Sequence, residues 1–252
     1  MIDLAPELIA LLIGAAFFAG FVDSIAGGGG LITLPVLMLA GVPPVQALAT
    51  NKVQGAFGAA TAAWAYGRRG LVDLRRQGWG ALMAFLGSLA GAFLVTFVPT
   101  EALRFALPVV LIGIALFFAL KPGLDDTDRQ QRLTPAIFTI TVAPLIGFYD
   151  GLVGPGAGAF YMLGFVMLAG YGILKATAHT KMLNFASNIG GIVAFAIVSP
   201  PIWMLGLVMG LAQMAGALVG TRLAMRVGAR IIKPLLVITS TALAIRLIWQ
   251  MI

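Results

Sequence analysis

Two lysines and two aspartates stand inside otherwise apolar stretches of this 252-residue chain, and each has a counterpart about half a chain away. Lys52 and Lys181 lie within the apolar segments 45–66 and 176–198, while Asp23 and Asp150 each precede a glycine run. Ionisable groups at such depth are costly unless they face a cavity or a partner, so they mark binding sites or ion paths. Gly27, Gly28, Gly29 and Gly30 follow Asp23; Gly154, Gly156 and Gly158 follow Asp150. These runs should be unwound, with helix resuming in the apolar stretches that begin at Leu31 and Ala159. A helix start offers free N–H groups and a partial positive charge, and therefore binds anions. Two starts meeting near a membrane midplane would hold an anion with tetrahedral or pyramidal oxygens. Asn51 and Gln54 share a helix with Lys52, and Asn184 and Asn188 share one with Lys181. Together with the lysines and the glycines they are expected to line the substrate cavity. The plainer readings are that the glycines only permit close helix packing and that the lysines snorkel to the interface. Symmetric placement favours the site. Asp23 and Asp150 would pair with the lysines, fix the glycine loops by accepting N–H bonds, or carry a coupled proton. His179, the only histidine, replaces Thr50 of the first half and is a proton-relay candidate or a packed donor. Cysteine is absent, so no thiolate metal site or redox centre arises, and no cofactor, metal or catalytic group is expected.

The elements that must position these residues are membrane helices. The chain is 60% hydrophobic and only 10% charged, with a mean hydropathy of +1.02. A soluble domain carries roughly 25% charged residues. Apolar runs such as 81–98, 102–120 and 202–218 approach the roughly 20 residues that a helix needs to cross a bilayer. The alternation of a β-barrel is missing. The expected fold class is an all-α polytopic membrane protein. The N-terminus lacks a basic leader region and carries Asp3 and Glu7, so it reads as the start of the first membrane segment, not a signal peptide. A net charge of +7 sits in short loops, where the positive-inside rule accounts for it, and nucleic acid is not an expected partner.

The chain also repeats itself. GFVDSIAGGGG at 20–30 matches GFYDGLVGPGA at 147–157, and AGVPPVQALATNK at 40–52 matches AGYGILKATAHTK at 169–181. Asp23 thus corresponds to Asp150, Gly27 to Gly154 and Lys52 to Lys181, with a two-residue insertion between the blocks. AGA recurs at 90–92 and 215–217, and Pro108 falls near the position of Pro234. Such self-similarity is an internal duplication, dividing the chain into a first half 1–120, a polar linker 121–134 and a second half 135–252. Arg68, Arg69, Arg75 and Arg76 mark one cytoplasmic loop. Lys121, Arg129 and Arg132 mark a second, and Arg222, Arg226, Arg230 and Lys233 a third. The turn 199–201 has no charge and 99–104 has one of each sign. Because 68–76 corresponds to 199–201, equivalent turns fall on opposite sides. The halves are therefore expected to be inverted, with both termini outside. Clear spans are 45–66, 81–98 and 102–120, then 176–198, 202–225 and 231–249. The leftover stretches 8–40 and 135–169 are cut by glycines into pieces of about 11–17 residues, short of a span. Each fits a re-entrant hairpin or two short tilted helices. Matching glycine-broken segments of this kind point to a transporter's midplane site. The GxxxG motifs at 87–91, 206–210 and 216–220 are read as helix contacts within one protomer, with a homodimer left open.

The two glycine phrases, with KATAHTKMLNFASNIGG at 175–191, resemble the TauE/SafE family of membrane transporters, the sulfite exporters. The likeness covers essentially the whole chain. It implies a bacterial inner-membrane secondary transporter that moves small sulfur-containing anions such as sulfite, sulfoacetate or other organosulfonates, commonly outward. Its partners would be that small anion, the lipid bilayer and, for uptake, a coupled proton or sodium ion. Two other readings stay open at this point. A passive anion channel uses the same backbone and charged groups. An intramembrane aspartyl protease would use both aspartates, with Tyr149-Asp150 as half of its signature, but would need them to share a proton.

Overall fold

The computed structural model describes residues 6–97, 112, 116, 120 and 125–249. The expected span 102–120, the turn 99–104 and Pro108 therefore lie outside the described residues, apart from positions 112, 116 and 120, which are helical. Every described regular element is helical. In chain order these are α1 (Pro6–Ala26), α2 (Gly29–Leu39), α3 (Pro44–Arg68) and α4 (Gly78–Leu94), then α5 (Pro135–Leu152), α6 (Ala157–Met167), α7 (Ile173–Val198), α8 (Trp203–Val227) and α9 (Ala229–Trp249). Four of them, α1, α5, α7 and α8, are long and apolar enough to cross a membrane. Helix α3 is as long but carries the polar run Thr50, Asn51, Lys52 and Gln54, all of which it buries. Large apolar side chains such as Phe18, Leu145, Ile197, Met204 and Leu211 are exposed instead. A bundle that hides its polar groups and shows its apolar ones is built for lipid.

Two hydrophobic clusters locate the ends of the bundle. One gathers Ile25, Ala26, Tyr66, Val72, Phe138, Phe165, Ile173 and Ala224. It underlies the basic loops and is called the basic end here. The other gathers Leu12, Leu37, Val42, Ala47, Phe195 and Leu205 at the opposite end. Helix α1 starts in the second cluster and runs toward the basic end, and α2 turns back to where α1 began. Helix α5 starts at the basic end and α6 returns there. Both glycine-broken stretches are thus re-entrant hairpins, entering from opposite ends. Two details differ from the sequence expectation. The first arm of each hairpin is of span length, 21 residues in α1 and 18 in α5, because apolar sequence continues unbroken up to the aspartate. Helix also resumes two residues early, at Gly29 and Ala157, since glycine in a first turn is free to take helical angles. The starts of corresponding helices are offset by 128 for α2 and α6 and by 129 for α3 and α7, while the two aspartates are offset by 127. The two-residue insertion is therefore two single insertions, one at each end of α6.

Packing is exchanged between the halves. Helix α1 packs chiefly on α8, and its counterpart α5 packs on α4. Glycines in α8 and α4 make the approach possible. A Cβ at Gly216 would stand 1.9 Å from the Phe17 carbonyl oxygen, and one at Gly87 would stand 2.1 Å from that of Pro144. Gly206 and Gly210 bring α8 against Val53 and Phe57 of α3. All three GxxxG motifs are therefore consumed within the chain. Gly216→Ala and Gly87→Ala must each push two helices apart, and each is expected to cost about 1–3 kcal/mol. Thermal melting in detergent checks this, and an unchanged midpoint for both would mean the helices are not held this close.

The linker is a clasp at the basic end. Asp126 accepts the N–H groups of Leu174 and Ala229, tying the starts of α7 and α9 together. Asp128 accepts the Gly172 N–H and pairs with Lys175. Partial burial opposes charge on Asp128, but the Lys175 and Gly172 bonds outweigh it and hold the carboxyl below its ordinary range.

Candidate functional site

The tips of the two hairpins meet. Gly27, with φ of +77°, ends the first tip, and its carbonyl accepts the Ala159 N–H from the first turn of α6 at 3.1 Å. No side chain fits between them, because a Cβ on Gly27 would lie 2.4 Å from the Gly158 carbonyl carbon. On the second tip Gly154 and Gly156 also take positive φ, 89° and 83°. Left-handed backbone favours glycine at these three places.

Each tip is fastened to the other half by a buried ion pair. Lys52 Nζ of α3 lies 2.6 Å from Asp150 Oδ1 of α5. Lys181 Nζ of α7 lies 3.5 Å from Asp23 Oδ2 of α1 and also donates to the Asp23 carbonyl. Both lysines are wholly buried. Asp23 Oδ1 accepts the Gly29 N–H at 3.3 Å, so the same carboxylate steadies the first turn of α2. Asp150 Oδ2 accepts the Ser187 hydroxyl at 2.6 Å instead. The position equivalent to Ser187 is Gly58, and Gln213 of α8 fills the space that its missing side chain leaves. The two halves therefore offer the centre different polar groups.

A cavity of about 30 Å³ lies between the tips, lined by Asp23, Gly27, Gly29, Gly30, Asn51, Gly55, Asp150, Gly154, Gly156, Ala157, Gly158, Asn184, Asn188 and Gln213. That volume suffices for a water molecule or two, so the centre is closed around its polar lining. Asn51 Oδ1 accepts from Thr33 at 2.6 Å and from Gln54 at 2.9 Å, which leaves its amide N–H groups free to turn inward. Asn188 donates to the Asn184 carbonyl at 2.7 Å. The expected glycines Gly27, Gly29, Gly30, Gly154, Gly156 and Gly158 thus come together with Asn51, Asn184 and Asn188 and both aspartates. Gly28, Gln54, Lys52 and Lys181 stand behind this lining, the lysines facing their carboxylates rather than the cavity. Each aspartate has its own cation, so the shared-proton dyad of a protease has no counterpart. The sequence reading passed over Gln213, Gly55, Ala157 and Ser187. Gln213 could have been found as the lone amide in the middle of the apolar helix α8.

His179 is elsewhere. It lines a cavity of about 480 Å³ at the basic end, with Arg76, Gln77, Tyr171, Lys175 and Leu183 among its neighbours. Its ring lies 4.7 Å from that of Tyr171, and its carbonyl accepts from Gln77 at 2.8 Å. At the opposite end, among the described residues, two bonds join α3 to the turn before α8. There Gln46 donates to the Pro200 carbonyl at 3.2 Å, and Thr50 accepts the Ile202 N–H at 3.0 Å.

Proteins similar to this chain are described as membrane transporters. A family model described as "Sulfite exporter TauE/SafE" matches residues 12–247. A Sinorhizobium protein called "Probable membrane transporter protein ORF9" is 58% identical over 98% of this chain and 95% of its own. "Probable membrane transporter protein YfcA" of Escherichia coli K12 is 45% identical over 98% and 91%. A "Probable membrane transporter protein" of Haemophilus influenzae is 38% identical over 98% and 97%. No solved structure matches the chain.

Proposed function

The chain belongs to the TauE/SafE sulfite exporter family and is a membrane transporter, not an enzyme, and from that premise we propose that it is a secondary exporter of small sulfur-containing anions, working by alternating access around the cavity between the hairpin tips. The observation that carries the reading is the pair of crossed lysine–aspartate bonds behind that cavity. They neutralise the centre, so an anion entering it meets no net charge and is held by amide groups and the helix starts of α2 and α6. Such a site releases its ligand readily, as a transporter must. The exchanged packing of α1 on α8 and α5 on α4 supports inverted halves, a common transporter architecture. With the basic loops in the cytoplasm of a bacterial inner membrane, both termini lie outside. The open cavity beside His179 is then the inward vestibule, and the bonds of Gln46 and Thr50 are the outer seal. Outward movement of an anion is driven by the membrane potential, at about 2.3 kcal/mol per charge per 100 mV; uptake would need a coupled cation.

The test is flux in proteoliposomes with sulfite, sulfoacetate, sulfate and acetate, with and without a pH gradient. Saturable counterflow of a sulfur anion is expected, reduced at least tenfold in Asn51→Leu and Asn188→Leu, since loss of one amide bond to a charged ligand costs about 1.5–3 kcal/mol. Conductance without counterflow would instead make the protein a channel. Flux of no sulfur anion would remove the substrate class.

A further inference from the structure

Helix α8 shows one exposed stripe along its length: Met204, Leu207, Leu211, Ala215 and Val219, then Arg222 and Arg226. The spacing of three and four residues puts all seven on one face. Its apolar part faces lipid, so the two arginines that finish it stand at the height of the lipid headgroups. Arg69, just past the end of α3, joins them around a surface cavity of about 540 Å³ whose other walls are Leu71, Leu174 and Met225. Nearby, Arg68 lies over the ring of the half-exposed Trp64 at 5.0 Å, an aromatic–cation pair typical of the interface.

Among the described residues no carboxylate meets these three guanidiniums. Asp73 holds Arg76, Asp125 is nearest Arg129, and Asp126 and Asp128 cap α7 and α9. Asp23 and Asp150 are committed to the interior, and Glu7 belongs to the first turn of α1 at the opposite end. Three unpaired arginines about an apolar-walled recess form a receptor for a phosphate ester, since guanidinium forks bind phosphate oxygens in pairs. We propose that this recess binds the phosphate of an anionic phospholipid, with Arg69, Arg222 and Arg226 on the headgroup and Leu71, Leu174 and Met225 against its glycerol and upper acyl chain. Continuity with the lipid-facing stripe selects a lipid over free phosphate. The site is independent of what the transporter carries.

The experiment places the purified protein in phosphatidylcholine nanodiscs containing a minority of phosphatidylglycerol and measures, by native mass spectrometry, the anionic lipid retained. Wild type is expected to retain it over phosphatidylcholine. Arg69→Gln, Arg222→Gln and Arg226→Gln should each lower retention about fivefold, and the triple variant about a hundredfold. Arg230→Gln, an exposed arginine outside the recess, should leave it unchanged. Equal loss in Arg230→Gln would reduce the effect to diffuse surface charge and overturn the site. Displacement of the lipid by millimolar inorganic phosphate would overturn the assignment to a lipid. Retention unaltered in the single variants would leave the arginines with topology alone and sink the proposal. The single variants carry the test if the triple variant fails to insert.

Discussion

Lys52→Met is expected to cost about 3–5 kcal/mol of stability, because it strands Asp150 as a buried carboxylate without its cation. The long stem of Lys52 packs against Gly191 and its ammonium against the second hairpin tip, so methionine keeps most of the volume and removes only the charge. Adding Asp150→Asn in the same chain should recover most of the loss, since a neutral pair of similar size is close to neutral in cost. Flux should not return with it, because Asp150 also lines the central cavity and holds Ser187. Thermal melting in detergent, read beside proteoliposome flux, separates the two effects. A Lys52→Met protein as stable as wild type would show that the crossed pair is not the fastening of the tips.

Gly27→Ala is expected to abolish flux and to destabilise the fold by about 2–5 kcal/mol. Two costs add there. The backbone is left-handed, worth roughly 1–2 kcal/mol for any residue with a Cβ. The new carbon also drives into the Gly158 backbone at 2.4 Å, an overpacking worth a further 1–3 kcal/mol. Gly41→Ala is the control. Its φ of +82° carries the same strain, but nothing lies within 4 Å of its Cβ. It should therefore lose only about 1–2 kcal/mol and keep its flux. If the two variants behave alike, tip-to-tip contact contributes nothing and only local strain matters.

Much of this architecture could be read from residue patterns. The helical class follows from hydropathy, and both helix breaks follow from glycine placement to within two residues. The re-entrant course was one of two readings, since piece lengths alone do not say whether a chain turns back. Asp23, Asp150, Lys52 and Lys181 were all marked by their depth. Pairing of aspartate with lysine was one of the readings, but which lysine was not legible, because a repeat is silent on whether contacts form within a half or across. The lysines were expected on the cavity wall, yet the structure sets them behind it, since an ammonium with a carboxylate at 2.6 Å has no need of a ligand. His179 was a relay candidate beside the aspartates or a packed donor, and the structure sets it on the wall of the basic-end cavity with Tyr171 and Lys175, away from the carboxylates of Asp23 and Asp150. Gln213 has no amide counterpart anywhere in α4, and a search for matched pairs passes over it.

The exchanged packing has a consequence for synthesis. Helix α1 is made first, yet the glycine face it rests on, Gly216 and Gly220, is made some two hundred residues later. For most of translation α1 must wait in the bilayer without its partner, and α4 must wait for α5. Neither half closes a core alone, so an isolated half is an incomplete object and not a smaller transporter. The two halves expressed as separate chains should instead find each other, and their reunion would be the moment at which the helix tips first acquire a shape.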